Sequence, residues 1–257
     1  MEQPPGFVAQ GESGKVCRLH KAIYGLIQSP RTWFGKFNEV VLKFGLQRCH
    51  SNHFVFSHTF DKGKILLIIY VDDIIITSDD KQGIDDLKRY LQNSFQTKDL
   101  GKLLYFLGIE VARSKEGISL SQRKYVLDVL EETSLLGSKP MKTPMDPNVI
   151  LYEDQGELLS NPERYRHLVG KLNYLTITRP NISFAVSVLS QFMKDPYLLH
   201  WEAVIQIVRY LKAHPSRGLL YKANSHLRVE VYTNADWVGS LSDRKSTTRY
   251  CTFLGGI

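Results

Sequence analysis

Two adjacent carboxylates, Asp72 and Asp73, stand inside the run Ile65-Leu66-Leu67-Ile68-Ile69-Tyr70-Val71-Asp72-Asp73-Ile74-Ile75-Ile76-Thr77. A stretch this apolar and β-branched reads as two strands buried on both faces. Charges in the middle of it are expensive to bury without compensation. Two arrangements provide that compensation. In one, Asp72 and Asp73 form the tip of a hairpin that reaches water. In the other they ligate a divalent cation, since hard Mg²⁺ takes one or two carboxylates together with waters and substrate phosphates.

Other chemically suggestive groups are weaker. Cys49, His50 and His53 lie close together, but their spacing matches no common zinc pattern and no fourth ligand is apparent. Asp79-Asp80 reads as a helix cap with solvated charge. Trp33, Phe34 and Phe37 could stack on bases, yet their helical spacing makes them core residues first. Arg209, Lys212 and Arg217 could contact phosphate, with a solvated helix face as the plainer account. Asn181-Ile182-Ser183 has the form of a glycosylation acceptor, without meaning in a cytosolic chain.

The elements that must position the acids follow from pattern. A helix is expected with Ser29 as N-cap and Pro30 at its first position. It carries Trp33, Phe34, Phe37, Val40, Val41 and Phe44, and Gly45 ends it. A short strand near residues 54–57 and the Tyr70 hairpin come next. Ile84, Leu87, Tyr90, Leu91 and Phe95 mark a second amphipathic helix. Residues 103–111 read as one strand, Lys115-Glu116-Gly117 as a turn and residues 118–120 as the partner strand. Ser121 is expected to cap a helix bearing Tyr125, Val126, Val129 and Leu130. Residues 137–157, with Pro140, Pro144 and Pro147, read as a linker. Helical patterns over 162–176, 181–193 and 198–213 precede strands at 228–233 and 250–254. The order predicts an α+β chain in three parts: 1–145, 146–225 and 226–257.

Composition bounds the partners. Of the 257 residues, 43% are hydrophobic, ordinary globular material. Lys and Arg outnumber Asp and Glu by 33 to 26, a net +7 that permits a polyanion partner without a polybasic block to demand one. Cys17, Cys49 and Cys251 lie far apart, so reduced thiols are expected. Neither a signal peptide nor an apolar run long enough for a bilayer is visible. The expectation is an intracellular protein, cytoplasmic or nuclear, with no membrane partner.

Tyr-x-Asp-Asp in an apolar hairpin resembles the active-site signature of reverse transcriptases. Leu19-His20-Lys21-Ala22-Ile23-Tyr24-Gly25-Leu26-Ile27-Gln28-Ser29-Pro30-Arg31 stands upstream. Asp99-Leu100-Gly101 and Tyr105-Phe106-Leu107-Gly108-Ile109-Glu110-Val111 follow downstream. In this order the blocks resemble the Pol polyprotein of copia-type LTR retrotransposons. Tyr165-Arg166-His167-Leu168-Val169-Gly170, Thr178-Arg179-Pro180 and the segment from His200-Trp201 to Tyr210-Leu211-Lys212 are similar to that family's connecting region. Tyr232-Thr233-Asn234-Ala235-Asp236-Trp237 is similar to the opening of its RNase H domain.

The resemblance implies a partial right-hand polymerase (fingers, palm and thumb remnant), a helical connection and a truncated RNase H-like sheet. It also implies RNA-directed DNA polymerase chemistry on a template–primer duplex of RNA or DNA with dNTPs and two Mg²⁺ ions. By that resemblance Asp72 is a catalytic metal ligand and Asp73 its supporting carboxylate. Tyr70 and Val71 lie near the primer terminus, and Gln28 and Pro30 beside the incoming nucleotide and template. Gly108 sits in the turn that grips the primer, and the helix after Ser121 tracks the duplex through phosphates.

Departures from the family pattern bear on activity. The family's other essential carboxylate precedes the Met1-Glu2-Gln3-Pro4-Pro5-Gly6-Phe7 block, so this chain is expected to lack it and to be catalytically impaired. Asn234 stands where RNase H has its first acid, and an amide is a poor Mg²⁺ ligand, so no RNase H activity is expected. Ile27 replaces a basic residue, and Asn181 stands where Asp follows Arg-Pro. Exposed strand edges are expected to make the isolated chain marginally stable. The alternatives are an active polymerase within a longer polypeptide, a non-catalytic nucleic-acid-binding remnant and, more distantly, an unrelated Mg²⁺ phosphotransferase.

Overall fold

In the computed structural model the described residues are 16–20, 25–60, 63–146, 148–152, 156–223, 228–236 and 246–255. The first fifteen residues, Lys21-Ala22-Ile23-Tyr24, Pro147 and Trp237 lie outside them. Helices and antiparallel sheets mix as the pattern predicts, in two units, 1–101 and 102–257. No described helix is long and apolar enough to cross a membrane.

The first unit contains α1 (Ser29–Lys43), β1 (Gln47–Arg48), β2 (Val55–Phe60), β3 (Gly63–Tyr70), β4 (Asp73–Ser78) and α2 (Lys81–Ser94). The strands form one antiparallel sheet in sequence order. Alternation along β3 sends Ile65, Leu67 and Ile69 into the core with Phe56, under Phe37 and Val41 of α1 and Leu87 and Leu91 of α2. Each such side chain contributes about 1.5–3 kcal/mol by leaving water. The opposite face, with Leu66, Ile68 and Ile75, is only half-buried. This corrects the expectation of strands buried on both faces: both helices pack on one side. Asp80 caps α2, its Oδ1 accepting from the Gln82 amide at 3.0 Å. The start of α1 also differs from expectation. Gln28, not Ser29, holds the N-cap position; it is already helical in φ and ψ, and its side chain makes no cap. Thr32 donates to the Gln28 carbonyl through both its amide and its hydroxyl at 3.0 Å. Gly45 ends the helix with φ +104.

The second unit opens with β5 (Tyr105–Phe106), β6 (Ile109–Arg113) and β7 (Gly117–Ser121), joined in one antiparallel sheet by β8 (Leu219–Lys222). Four helices, α3 (Arg123–Glu132), α4 (Pro162–Leu175), α5 (Ser183–Leu189) and α6 (Leu198–Ala213), share one core with Leu130, Leu172, Ala185 and Ile207 fully buried. A two-stranded ribbon, β9 (Val229–Asp236) and β10 (Thr247–Leu254), completes the described chain. Three expectations change. Residues 103–111 are not one strand, because Leu107-Gly108 turns the chain back between β5 and β6. Ser121 remains in β7, Gln122 takes the cap position without a side-chain cap, and Glu110 of β6 accepts from the Lys124 amide at 3.0 Å instead. Of the expected 137–157 linker, residues 137–146 are irregular but anchored: Arg209 Nε donates to the Lys139 carbonyl at 2.8 Å, Met141 N to the Arg209 carbonyl at 3.2 Å, and Lys212 to the Ser138 carbonyl.

The β7–β8 pairing depends on two glycines. A Cβ at Gly218 would stand 1.9 Å from the Leu120 carbonyl oxygen, and one at Gly117 2.0 Å from that of Tyr221. Gly218→Ala is therefore expected to separate β8 from β7 and cost about 1–3 kcal/mol, the usual range for overpacking. Chemical denaturation would show a lower midpoint, whereas an unchanged midpoint would mean that the strands do not approach so closely.

Candidate functional site

Tyr70 pairs with Asp73 across the hairpin, which leaves Val71 and Asp72 as a two-residue loop. Val71 lies at φ 54, while Asp72 is outside the left-handed region. These φ signs are those of a type II′ turn, whose first position suits glycine. A β-branched residue there is a conformational outlier, and such outliers cluster at functional sites. Asp72 is therefore projected by a strained, register-locked turn. Val71→Gly should relieve about 1–2 kcal/mol of left-handed strain, offset by about 0.5–1 kcal/mol of added unfolded-state entropy. A small rise in the thermal midpoint is expected; a fall would show that Val71 bears no strain.

Tyr70, Val71, Asp72 and Asp73 are all exposed. Of the two open readings of the acids, the water-reaching hairpin tip is thus the observed geometry, and it remains compatible with a cation. Neither carboxylate has a hydrogen-bond or ion-pair partner among the described residues, so their oxygens are available to a ligand. A hard all-oxygen donor set of this kind suits Mg²⁺ that brings its own waters and phosphates. It is too small to enclose an ion by itself. Among the described residues no group of three or more His, Cys, Asp or Glu is placed to hold a metal, the Cys49-His50-His53 stretch included.

Gln28 and Pro30 open α1 at the same end of the sheet as this tip. Near that end, Phe34 meets Phe54 at 5.8 Å, and the Phe54 carbonyl accepts from the Ile69 amide at 3.0 Å, one residue before Tyr70. At the other end the Gly45 carbonyl meets His58 Nδ1 at 2.5 Å, and His58 pairs with Ile65. Gln28 and Pro30 are both exposed. Phe54, half-exposed beside the tip, is read from the sequence only as part of a short strand, because only strand pairing brings it to the tip.

Gly108 belongs to the second unit. Leu107 at φ 49 and Gly108 at φ 77 form a two-residue loop between Phe106 and Ile109, a type I′ arrangement. The Tyr174 hydroxyl of α4 donates to the Leu107 carbonyl. Asn234 is exposed on β9, with Arg249 as its backbone partner on β10.

Buried groups elsewhere serve the fold. The fully buried Arg179 donates from its Nη1 to the His214 carbonyl at 2.9 Å and from its Nε to Asn181 Oδ1 at 3.4 Å. Burial pushes its guanidinium pKa down. Burial likewise pushes the Tyr165 phenol up, with its hydroxyl donating to the Leu189 carbonyl at 2.8 Å. On the surface, Lys171 beside Glu132 holds that carboxyl below its usual range.

Residues 1–147 match the family described as "Reverse transcriptase (RNA-dependent DNA polymerase)". Over 255 residues the chain is 41% identical to "Retrovirus-related Pol polyprotein from transposon RE1" of Arabidopsis thaliana, covering 99% of this chain and 17% of that protein. It is 37% identical over 269 residues to "Retrovirus-related Pol polyprotein from transposon TNT 1-94" of Nicotiana tabacum, covering 100% of this chain and 20% of that protein. It is 33% identical to a "Putative transposon Ty5-1 protein" of Saccharomyces cerevisiae, covering 100% of this chain and 84% of that one. The chain thus spans a fifth or less of the two Pol polyproteins, 17% and 20%. No solved structure matches it. The paired acids on their hairpin, with a family match over more than half of the chain, fix the assignment: this chain belongs to the reverse transcriptase family, in the form found in the Pol polyproteins of copia-type transposons.

Proposed function

We propose that this chain supplies the catalytic hairpin of an RNA-directed DNA polymerase and that templated nucleotide addition takes place against Asp72. The observation that carries this reading is the exposed Asp72-Asp73 tip, held by a strained two-residue turn between the paired strands β3 and β4. Bound Mg²⁺ supplies activation of a primer 3′-hydroxyl and neutralisation of the departing pyrophosphate. Asp72 holds the ion and Asp73 supports it. Tyr70 and Val71 lie against the primer terminus, while Gln28 and Pro30 border the incoming dNTP and the template base. The Leu107-Gly108 turn bears on the primer strand, and α3 follows the duplex through phosphate contacts.

In this reading the chain divides by descent into a reverse transcriptase remnant (1–145), a helical connection (146–225) and the start of an RNase H-like domain (226–257). The last part does not cleave RNA, because Asn234 offers a neutral amide where an acid is needed. It acts inside the cell, where template and dNTPs are found.

Among the described residues the two carboxylates stand without a third acid beside them, which makes a weak two-metal site. We therefore expect no primer extension from the 257-residue chain alone, and extension from a longer Pol polypeptide that contains the same residues. The assay uses an RNA template, a DNA primer and Mg²⁺, then Mn²⁺. Extension by the chain alone would remove the need for a further acid, and none from either polypeptide would remove the polymerase reading. The net charge of +7 favours one second reading, a non-catalytic nucleic-acid binder. It predicts salt-dependent template–primer binding that is indifferent to Asp72→Asn.

A further inference from the structure

The Leu107-Gly108 turn carries a residue unsuited to it. Both loop positions of a type I′ turn need φ > 0, and the favoured pair is Asn-Gly. Here the first position is Leu107, at φ 49, with a side chain that has no local means of stabilising that conformation. What holds it comes from 67 residues away: the Tyr174 hydroxyl donates to the Leu107 carbonyl. The Tyr174 ring lies over Gly108, where an added Cβ would meet its Cε1 at 3.7 Å, and Tyr125 of α3 fixes that ring edge-on at 5.4 Å between centroids. On the next strand, Glu110 is tied to the N-terminus of α3 through the Lys124 amide at 3.0 Å. The turn is thus clamped from α4 and α3 together.

We propose that Tyr174 is a positioning residue for primer-strand binding, acting by locking the Leu107-Gly108 turn in its left-handed form. The inference rests on the polymerase reading for what the turn touches, and on geometry alone for what Tyr174 does to the turn. Without the hydroxyl, Leu107 relaxes towards negative φ and the turn swings its backbone away from the strand it should meet.

The test is a mutant cycle read by fluorescence anisotropy on a labelled RNA–DNA primer–template, with amide exchange of the turn followed in parallel. Tyr174→Phe is expected to weaken binding about tenfold, equivalent to about 1.4 kcal/mol, and to speed exchange around residues 107–109. Leu107→Asn creates the favoured Asn-Gly pair and makes the hydroxyl dispensable. In that background Tyr174→Phe should change neither affinity nor exchange. A role in packing alone would give the same loss in both backgrounds, and that result overturns the proposal, as does a Tyr174→Phe variant with unaltered exchange and affinity. If primer–template binds neither to the wild-type chain nor to a longer Pol polypeptide containing it, while Tyr174→Phe still speeds turn exchange, the polymerase reading falls and the binding role with it. The clamp itself would then stand.

Discussion

Asp72→Asn, made in a longer Pol polypeptide that extends primers, should lower the rate of nucleotide addition by on the order of 10³-fold or more. An amide keeps the size of the side chain but presents a single neutral oxygen. The ion then loses both a charge and a ligand, and misplacing reacting groups by about 1 Å alone costs ~10² in rate. Lost Lewis-acid stabilisation of several kcal/mol accounts for the remainder. The same change should leave the thermal midpoint unaltered or slightly raised. Asp72 is exposed at a turn beside a second carboxylate, so neutralising it removes a like-charge contact and no packing. Steady-state extension together with thermal unfolding separates the two effects. A loss of activity accompanied by a loss of stability would assign Asp72 to the fold rather than to the metal.

Arg179 is expected to give the largest stability effect. It heads the fully buried side chains by volume, at 1% exposure, and has no carboxylate partner among the described residues. Its charge rests on the His214 carbonyl, the Asn181 amide oxygen and the ring of Tyr210, whose centroid is 6.0 Å from the guanidinium carbon. Arg179→Ala leaves a cavity and an unpaired carbonyl, for an expected cost of about 3–5 kcal/mol. Asn181→Asp should act in the opposite direction. The new carboxylate accepts from Arg179 Nε and from the Tyr210 hydroxyl, which now accepts from Asn181 Nδ2 at 2.5 Å. A gain of about 1.5–3 kcal/mol is expected, the range for a hydrogen bond to a charged group. The gain should vanish in the Arg179→Ala background, because the partner is gone. Denaturant titration of the four variants decides it; additive effects would show that Asn181 and Arg179 do not interact.

Local chemistry was legible in the chain wherever it is governed by neighbours in sequence. The alternation Ile65, Leu67, Ile69 and the helical stripe Phe37, Val41 gave the core faces of the first unit, and Asp80 was readable as a cap. The Asp72-Asp73 hairpin was readable as one of two arrangements, because two charges inside an apolar run are costly unless a turn brings them to water or a cation compensates them. The failures share one cause. Ser29 and Ser121 were chosen as caps by residue type, whereas the backbone had already turned helical at Gln28, and Glu110 from another strand served α3. Residues 103–111 looked like one strand because Leu107 gives no turn signal; its turn is imposed by Tyr174. The short β8 was invisible because its apolar character is completed only by pairing with β7, about a hundred residues earlier.

What the sequence determined by itself was the family, the identity and order of the acids, and the period of each element, because these depend on residue type and near-neighbour spacing. The tertiary structure decided which face of the hairpin sheet is covered, that Phe54 and the start of α1 stand at its tip, and that the turn bearing Gly108 is clamped from a helix 67 residues away. Those outcomes depend on contacts between residues far apart in the chain, whose closure entropy is met only when the whole core assembles.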